Sequence, residues 1–242
     1  GTGGAPPPAA VLKNMEELGM EVIHLYGLTE TAPLITFCEP RPEHNDLSLA
    51  ERAKIKARQG VELVSSGELR VVTEDGTEVP NDGQTLGEIT VRGNVVMSGY
   101  YNDPEETNAA IRDGWFHSGD AAVVNPDGFV EIRDRFKDVI ISGGENISSV
   151  ELEGCLLIHP AVQEVAVVGA AHEKWGETPH AFVVLKSNAK VSADELKLHV
   201  RERLAHFKVP HLVSFVEDLP KTATGKVQKY VLRGRKAGIA QQ

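Results

Sequence analysis

The sequence of 242 residues predicts a mixed α/β (α+β) protein with three successive parts, residues 1–59, 60–136 and 137–242. Three observations support this fold class. A helix pattern and an apolar strand come first, short β runs separated by turn residues follow, and the last part has the order β-α-β-β-α-β. A chain of this length is long enough to bury a substantial core.

The first part begins with a helix predicted from about Pro8 to Leu18. An apolar strand, Val22–Leu25, then ends at Tyr26-Gly27, and a short helix is expected near Ser48–Arg58. Because the sequence starts on Gly1 without a methionine or a lead-in strand, we expect it to begin inside a longer protein.

The middle part predicts a small antiparallel β-barrel or sandwich. Asp-Gly at 75–76 and Pro-Asp-Gly at 126–128 are hairpin signals between apolar runs. The predicted strands are Val61–Val64, Leu69–Thr73, Gly87–Arg92, Ala121–Val124 and Phe129–Ile132. Asp103-Pro104 is a favourable helix start, because proline is tolerated in the first turn.

The last part predicts a ferredoxin-like βαββαβ unit. Capping boxes at Ser148–Glu151 and Ser192–Glu195 indicate the starts of two helices. The predicted strands are Val139–Ser142, Val165–Gly169, Ala181–Lys186 and Leu212–Val216. This change of pattern places a domain boundary near Arg135–Lys137.

Composition narrows the class of protein. A formal charge of −10 argues against nonspecific binding to nucleic acid, which depends on many cations. The sequence contains neither a membrane-spanning apolar run nor a signal-peptide pattern, so we expect a cytoplasmic protein without a membrane span. Cys38 and Cys155 lie far apart in sequence, and we expect both to be buried, unreactive thiols.

The segment Tyr26-Gly27-Leu28-Thr29-Glu30 follows a strand end, where α/β folds gather ligands. A tyrosine ring can stack on a purine, and a glycine lets backbone approach a phosphate. Thr29 can donate to a phosphate oxygen, and Glu30 is a hard oxygen ligand for Mg²⁺. The alternative is a helix start in which Thr29 is only a cap and Glu30 a favourable first-turn charge.

Asp120 and Arg135 are candidate ribose-binding residues. A carboxylate can accept hydrogen bonds from both ribose hydroxyls, and Gly119 leaves room beside it. The alternatives are that Asp120 is a turn residue and that Arg135 forms a salt bridge at the rim worth little.

Two further segments carry candidate residues. Ser142-Gly143-Gly144 precedes a capped helix, and consecutive glycines let a thin ligand chain pass close to backbone. From these residues alone, a tight strand-to-helix turn is the preferred interpretation. Lys226 follows Gly225, but Pro220 stands where a Walker loop has its first glycine. We therefore interpret Lys226 as a point charge on a flexible loop rather than part of a phosphate cradle.

These segments, in this order, resemble the adenylate-forming (AMP-binding) acyl-CoA synthetases, the superfamily that also holds luciferases and the adenylation domains of peptide synthetases. The likeness is closest to synthetases acting on short- or medium-chain acids, because DRFKDVIISGGENISSVELE and LPKTATGKVQK are similar to their motifs. It covers essentially the whole chain. The resemblance therefore implies ATP/AMP, Mg²⁺ and coenzyme A as ligands.

The resemblance also implies roles for individual residues. Gly4, Ala5 and Pro6 correspond to an adenine-side loop, Tyr26 to Glu30 to a phosphate and Mg²⁺ segment, and Lys137 to a hinge. Ser142, Gly143 and Gly144 would meet CoA on a mobile C-terminal lid, and Lys226 would be the catalytic lysine. A carboxylic acid would react with ATP to give acyl-adenylate and pyrophosphate, and CoA would then displace AMP.

One departure from the family pattern limits these implications. The phosphate loop of the form Ser-Gly-Thr-Thr-Gly is absent from the 242 residues, as is the first half of the large adenylation domain. We therefore expect the C-terminal part of a longer enzyme, inactive alone, whose partner is its own missing N-terminal half.

Two other functions stay open at this point. The acyl group could pass to a carrier protein instead of CoA, or the chain could be a non-catalytic module that binds CoA or a partner. The resemblance also suggests a lysine acetyltransferase and deacetylase acting on Lys226, because acetylation would remove its charge.

Overall fold

The computed structural model describes residues 1–4, 7–223 and 225–233. The chain divides into two compact units, Gly1–Phe136 and Lys137–Gln242. Both units combine helices with antiparallel sheet, so the predicted α/β class is confirmed. Within the described residues, every helix is too short or too polar to cross a membrane.

Among the described residues of the first unit, the α-helices are α1 Ala9–Glu17, α2 Leu49–Lys56 and α3 Pro104–Ala110. Its strands are β1 Leu25–Tyr26, β2 Thr36–Phe37, β3 Val61–Glu62, β4 Glu68–Val72, β5 Gly87–Arg92, β6 Ile111–Arg112, β7 Trp115–Val124 and β8 Val130–Arg135. Short β1, β2 and β3 form one antiparallel sheet. In the second sheet β4, β5, β7 and β6 follow one another, and β8 pairs with β7.

Local sequence explains where these helices begin. Ser48 and Glu51 form a complete capping box at the start of α2. Asp103 accepts a hydrogen bond from the Glu106 amide at the start of α3, and Pro104 occupies the first turn as predicted. The first unit has a hydrophobic core that consists of Ile35, Val71, Val79, Ile89, Val91, Ala122 and Val130.

Strand β7 differs from the prediction in a way that matters for the site. The strand was expected to begin at Ala121, but it begins at Trp115 and includes Ser118, Gly119 and Asp120. Between the pairs Thr90–His117 and Glu88–Ala121, these three residues oppose Ile89 alone, which is a β-bulge. Gly119 has φ +72°, a value that favours glycine. The turn interpretation of Asp120 was therefore wrong.

The second unit contains β9 Ile140–Ser142, β10 Glu145–Ile147, α4 Ser149–Leu157, β11 Val162–His172, β12 Gly176–Leu185, α5 Ala193–Arg201, β13 Leu212–Phe215 and α6 Lys229–Arg233. The predicted order of strands and helices is present, with the extra strand β10 before α4. Strand β12 pairs antiparallel with β11 and parallel with β13, and contacts β9 through the single pair Gly176–Ser142.

Two hydrophobic cores lie on the two faces of the sheet in the second unit. Val165, Val167, Ala181 and Val183 pack with residues of α4 and α5. Ala166, Val168, Phe182 and Val184 pack on the other face with Leu219 and Leu232. The alternation of side chains along β11 and β12 is that of a strand buried on both faces.

Candidate functional site

Asp120 lies at the centre of a polar cluster in the first unit. Its side chain is buried, with the residue only 4% exposed. The Tyr26 hydroxyl donates to Asp120 Oδ2 at 2.6 Å, and Arg135 Nε lies 3.0 Å from Asp120 Oδ1. We call Tyr26, Asp120 and Arg135 the carboxylate cluster.

The β-bulge in β7 holds Asp120 in place. Its amide donates to Ser118 Oγ at 3.1 Å, while the Ser118 hydroxyl donates to the Ile89 carbonyl at 2.8 Å. The Gly119 amide donates to Glu88 Oε1 at 2.9 Å, and the other oxygen of Glu88 lies 2.6 Å from His117 Nδ1. Glu88 thus fixes the bulge from the neighbouring strand, a role that sequence reasoning missed.

The carboxylate cluster fixes the protonation state of the Tyr26 hydroxyl. Burial, and then the negative charge of Asp120, raise the pKa of the Tyr26 hydroxyl well above its ordinary value. The phenol therefore stays protonated and donates to Asp120. The stacking role expected for its ring remains a prediction.

Gly27 is required by the chain's own packing. A Cβ at this position would lie 1.7 Å from the carbonyl oxygen of Pro33. In the following 3₁₀ turn, Thr29–Thr31, it is Thr31 that hydrogen-bonds both backbone groups of Leu28. The alternative in which Thr29 is the cap is therefore wrong, and Thr29 is exposed.

Glu30 is anchored beside the same turn. The Tyr100 hydroxyl donates to Glu30 Oε1 at 3.0 Å, and the Met97 amide donates to the Glu30 carbonyl at 2.8 Å. Burial and the Glu30 carboxylate raise the pKa of Tyr100. Tyr100 lay outside the predicted site residues, because no local sequence signal joins positions so far apart.

In the second unit, Gly143 and Gly144 form a β-hairpin turn. Ser142 pairs with Glu145, and the two glycines have φ +60° and +90°, as a two-residue type I′ turn requires. The strand-to-helix turn was therefore the wrong interpretation. The Gly143 amide donates to the Trp175 carbonyl at 2.9 Å, and a Cβ on Gly143 would lie 2.8 Å from the Trp175 ring.

Lys226 is exposed on a short loop that closes on itself. Lys221 and Val227 form an antiparallel bridge, and the Thr222 amide donates to the Lys226 carbonyl at 2.8 Å. The Lys226 amide donates back to Thr222 Oγ1 at 3.1 Å. Gly225, with φ +84°, supplies the turn. We call residues 221–227 the lysine loop, described here apart from Thr224.

Lys137 lies at the start of the second unit, in the 3₁₀ turn Phe136–Asp138. Its carbonyl accepts a hydrogen bond from the Arg233 guanidinium at 2.7 Å, and the same group contacts Asp138 at 2.5 Å. The hinge role of Lys137 stays a prediction.

The other predicted ligand-binding residues lie at the following positions. Gly4 is exposed with φ +92°, whereas Ala5 and Pro6 lie outside the described residues. The structure brings Tyr26, Asp120 and Arg135 together, and places Lys226 and the Gly143-Gly144 turn in the other unit. Among the described residues, no three His, Cys, Asp or Glu side chains converge on a metal position.

Comparisons with known proteins give the family. Residues 1–101 match the family model for AMP-binding enzymes, and residues 151–226 match that for the AMP-binding enzyme C-terminal domain. The chain belongs to the AMP-binding enzyme family, as the sequence motifs indicated.

Individual relatives are named as acyl-activating enzymes and CoA ligases. The chain is 51% identical to a probable peroxisomal acyl-activating enzyme of Arabidopsis thaliana, covering 96% of this chain and 43% of that protein. It is also 51% identical to a 2-methylpropanoate–CoA ligase of Humulus lupulus, covering 98% of this chain and 44% of that protein. The chain thus spans less than half the length of these relatives.

A solved structure agrees with this likeness. The o-succinylbenzoate CoA synthetase of Bacillus subtilis, solved with its acyl-adenylate intermediate, has a TM-score of 0.84 and 37% identity. The match covers 98% of this chain and 46% of that one.

Proposed function

We propose that the chain is the C-terminal part of an ATP-dependent acyl-CoA synthetase. The reaction joins a short- or medium-chain carboxylic acid to the α-phosphate of ATP, releasing pyrophosphate, and then transfers the acyl group to CoA with release of AMP. The observation that carries this proposal is the buried Asp120, held by a β-bulge between Tyr26 and Arg135 in a chain of this family.

Asp120 is the proposed acceptor for the ribose hydroxyls. A carboxylate has about four lone-pair positions, and Tyr26 and Arg135 each use one. The remaining positions can accept the two ribose O–H groups. Arg135 Nε lies 3.0 Å from Oδ1 and places a positive charge beside the carboxylate.

Glu30 and Thr29 are proposed to act at the phosphates. Mg²⁺ is usually bound through one or two carboxylates together with substrate phosphates, and a single anchored carboxylate such as Glu30 fits that pattern. When bound, the ion would neutralise phosphate charge. The exposed Thr29 hydroxyl can donate to a phosphate oxygen.

Lys226 is proposed to serve the adenylation step. Attack on phosphorus gathers negative charge on oxygen, and one placed donor to such charge contributes roughly 10²–10³ in rate. A lysine needed in one step and unwanted in the next belongs on a part that turns away, which is the role proposed for the unit that begins at Lys137. The Gly143-Gly144 turn, with Trp175 beside it, would meet the CoA arm.

The test uses the full-length protein. Release of pyrophosphate should depend on a fatty or related acid and should fall about 10²-fold or more in Lys226→Ala. An unchanged adenylation rate in that variant would remove Lys226 from the mechanism. The 242-residue chain lacks the phosphate loop, and we expect it to be inactive alone.

Four finer points stay predictions. The names of the relatives favour CoA over a carrier protein as acceptor. The cytoplasmic location is untested, and one relative is named as peroxisomal. Modification of Lys226 by an acetyltransferase rests on the family resemblance alone, as does the choice of acid.

A further inference from the structure

An ion pair fixes the base of the lysine loop. Lys221 Nζ lies 2.6 Å from Glu164 Oε2 on β11 and 3.7 Å from Asp218 Oδ1. Glu164 belongs to none of the segments that carry site residues. A glutamate on the surface of a strand is often only a solvated charge. Glu164, however, contacts Lys221, the residue at which the loop closes on Val227.

The position of Glu164 along β11 explains this contact. The pairing of β11 with β12 shifts register between Val162 and Glu164, so Gln163 forms an irregularity immediately before it. Such bulges re-aim the side chains that follow them. Alternation then places Glu164 on the same face as Ala166 and Val168.

That face of β11 is the one on which both ends of the loop pack. Leu219, two residues before Lys221, is buried with Ala166 and Val168, and Val227 packs against the same core. Apolar contacts with β11 thus fix both ends of the loop, while the ion pair with Glu164 fixes its first residue, Lys221.

Within the loop, hydrogen bonds connect the first residues to the backbone of Lys226. Thr222 follows Lys221 directly and makes two hydrogen bonds with the Lys226 backbone, one from its amide and one to its hydroxyl. Displacing Lys221 therefore moves the peptide that holds Lys226. Pairing with Glu164 also raises the pKa of Lys221, so the lysine stays charged at neutral pH.

We propose that Glu164 is a positioning residue for Lys226, acting through its ion pair with Lys221. The inference rests on the proposed function of Lys226. It predicts an effect confined to the half-reaction that uses Lys226, because a residue that only stabilised the fold would affect both.

The experiment measures the two half-reactions separately in the full-length protein. Acid-dependent exchange between ATP and pyrophosphate reports adenylation, and conversion of synthetic acyl-adenylate with CoA reports thioester formation. An exposed ion pair is worth up to about a fivefold change in an equilibrium. We expect Glu164→Gln to lower the adenylation kcat about fivefold, with the thioester step unchanged.

Matched variants separate position from stability. Glu151→Gln removes a comparably exposed ion pair with Lys208 in the same unit and should leave both half-reactions unchanged. Lys221→Met should reproduce Glu164→Gln, and the double variant should be no slower than either. Melting temperatures identify any variant that fails to fold. If Glu164→Gln fails to fold, Lys221→Met takes its place in the comparison.

The background Lys226→Met gives the decisive comparison. If Glu164 acts through Lys226, adding Glu164→Gln to that background leaves the residual adenylation rate unchanged. Equal loss of both half-reactions in Glu164→Gln, or a wild-type adenylation rate, would overturn the positioning role while leaving Lys226 in place. A wild-type rate in Lys226→Met would instead overturn the proposed function, and this inference with it.

Discussion

At the scale of single residues, Asp120 shows how a local irregularity in a strand can position a candidate binding group. The bulge lets three consecutive residues of β7 face one residue of β5, and each of the three contributes a hydrogen bond. The buried carboxylate is then held by Tyr26 and Arg135, both from other parts of the first unit.

Removing this carboxylate should weaken nucleotide binding. A hydrogen bond to a charged group contributes about 1.5–3 kcal/mol, so Asp120→Ala in the full-length protein should raise the Kd for ATP by roughly ten- to a hundredfold. Isothermal titration calorimetry measures this directly. Tyr26→Phe is the control, because it removes one donor to the carboxylate but keeps the acceptor. An ATP affinity equal to wild type in Asp120→Ala would exclude Asp120 from the ribose site.

Residue types drew attention to all three members of the carboxylate cluster, but not to the residues that support the candidate sites. Asp120 and Arg135 stood out because carboxylate and guanidinium groups suit a ribose, and Tyr26 because it follows a strand. Glu88, Tyr100 and Trp175 did not, since each contacts its partner across a long sequence separation. Only the register of the sheets and the closure of the turns bring each of these residues to its own partner.

At the scale of elements, the turn between β9 and β10 depends on glycine. A left-handed residue with a side chain costs about 1–2 kcal/mol, and a Cβ on Gly143 would also press on Trp175. Gly143→Ala should therefore lower the free energy of unfolding of the chain by about 1–2 kcal/mol or more, measured by urea denaturation.

Gly154 is the matched control for that substitution. It lies inside α4 with an ordinary backbone conformation, and apart from its own helix backbone and adjacent residues, no heavy atom lies within 4 Å of where a Cβ would stand. Gly154→Ala should raise the free energy of unfolding by about 0.5–1 kcal/mol, because alanine loses less backbone entropy in a helix. Equal effects of the two substitutions would contradict the hairpin geometry.

Elements with strong local signals were predicted well. Strand β5 has the predicted bounds, and α3 begins at the predicted Asp103-Pro104 start. Helices α4 and α5 begin directly after the predicted capping residues Ser148 and Ser192. The β7 bulge and the β9–β10 hairpin were missed. Glycine and serine interrupt the apolar pattern at both places, and sequence alone does not distinguish a bulge or tight hairpin from a loop.

At the scale of the whole molecule, buried histidines link stability to pH. Burial lowers the pKa of His180, whose Nε2 lies 2.9 Å from the Ser214 hydroxyl, and of His24 in the other unit. The unfolded chain therefore binds protons that the folded chain excludes. The folded state has its full stability above pH of about 6.5 and loses it progressively as the pH falls below that value.

This linkage predicts a lower melting temperature at about pH 5.5 than at about pH 7.5. His180→Gln keeps a hydrogen-bonding group but cannot titrate, so its melting temperature should fall less over the same interval. Scanning calorimetry at a series of pH values measures both slopes. An identical slope in the variant would mean that His180 contributes nothing to the acid loss.

The two units contain different parts of the proposed machinery. The carboxylate cluster lies in Gly1–Phe136 and Lys226 in Lys137–Gln242, so the proposed ribose-binding residues and the proposed catalytic lysine belong to separate parts of the chain. A lysine on a separate unit suits an enzyme in which one half-reaction uses it and the other does not.

The most direct test is a single-turnover comparison of the two half-reactions in full-length Lys226→Met. We expect acyl-adenylate formation to fall about 10²-fold or more, while synthetic acyl-adenylate and CoA still give thioester at the wild-type rate. Equal loss of both half-reactions, or no loss of adenylation, would contradict it.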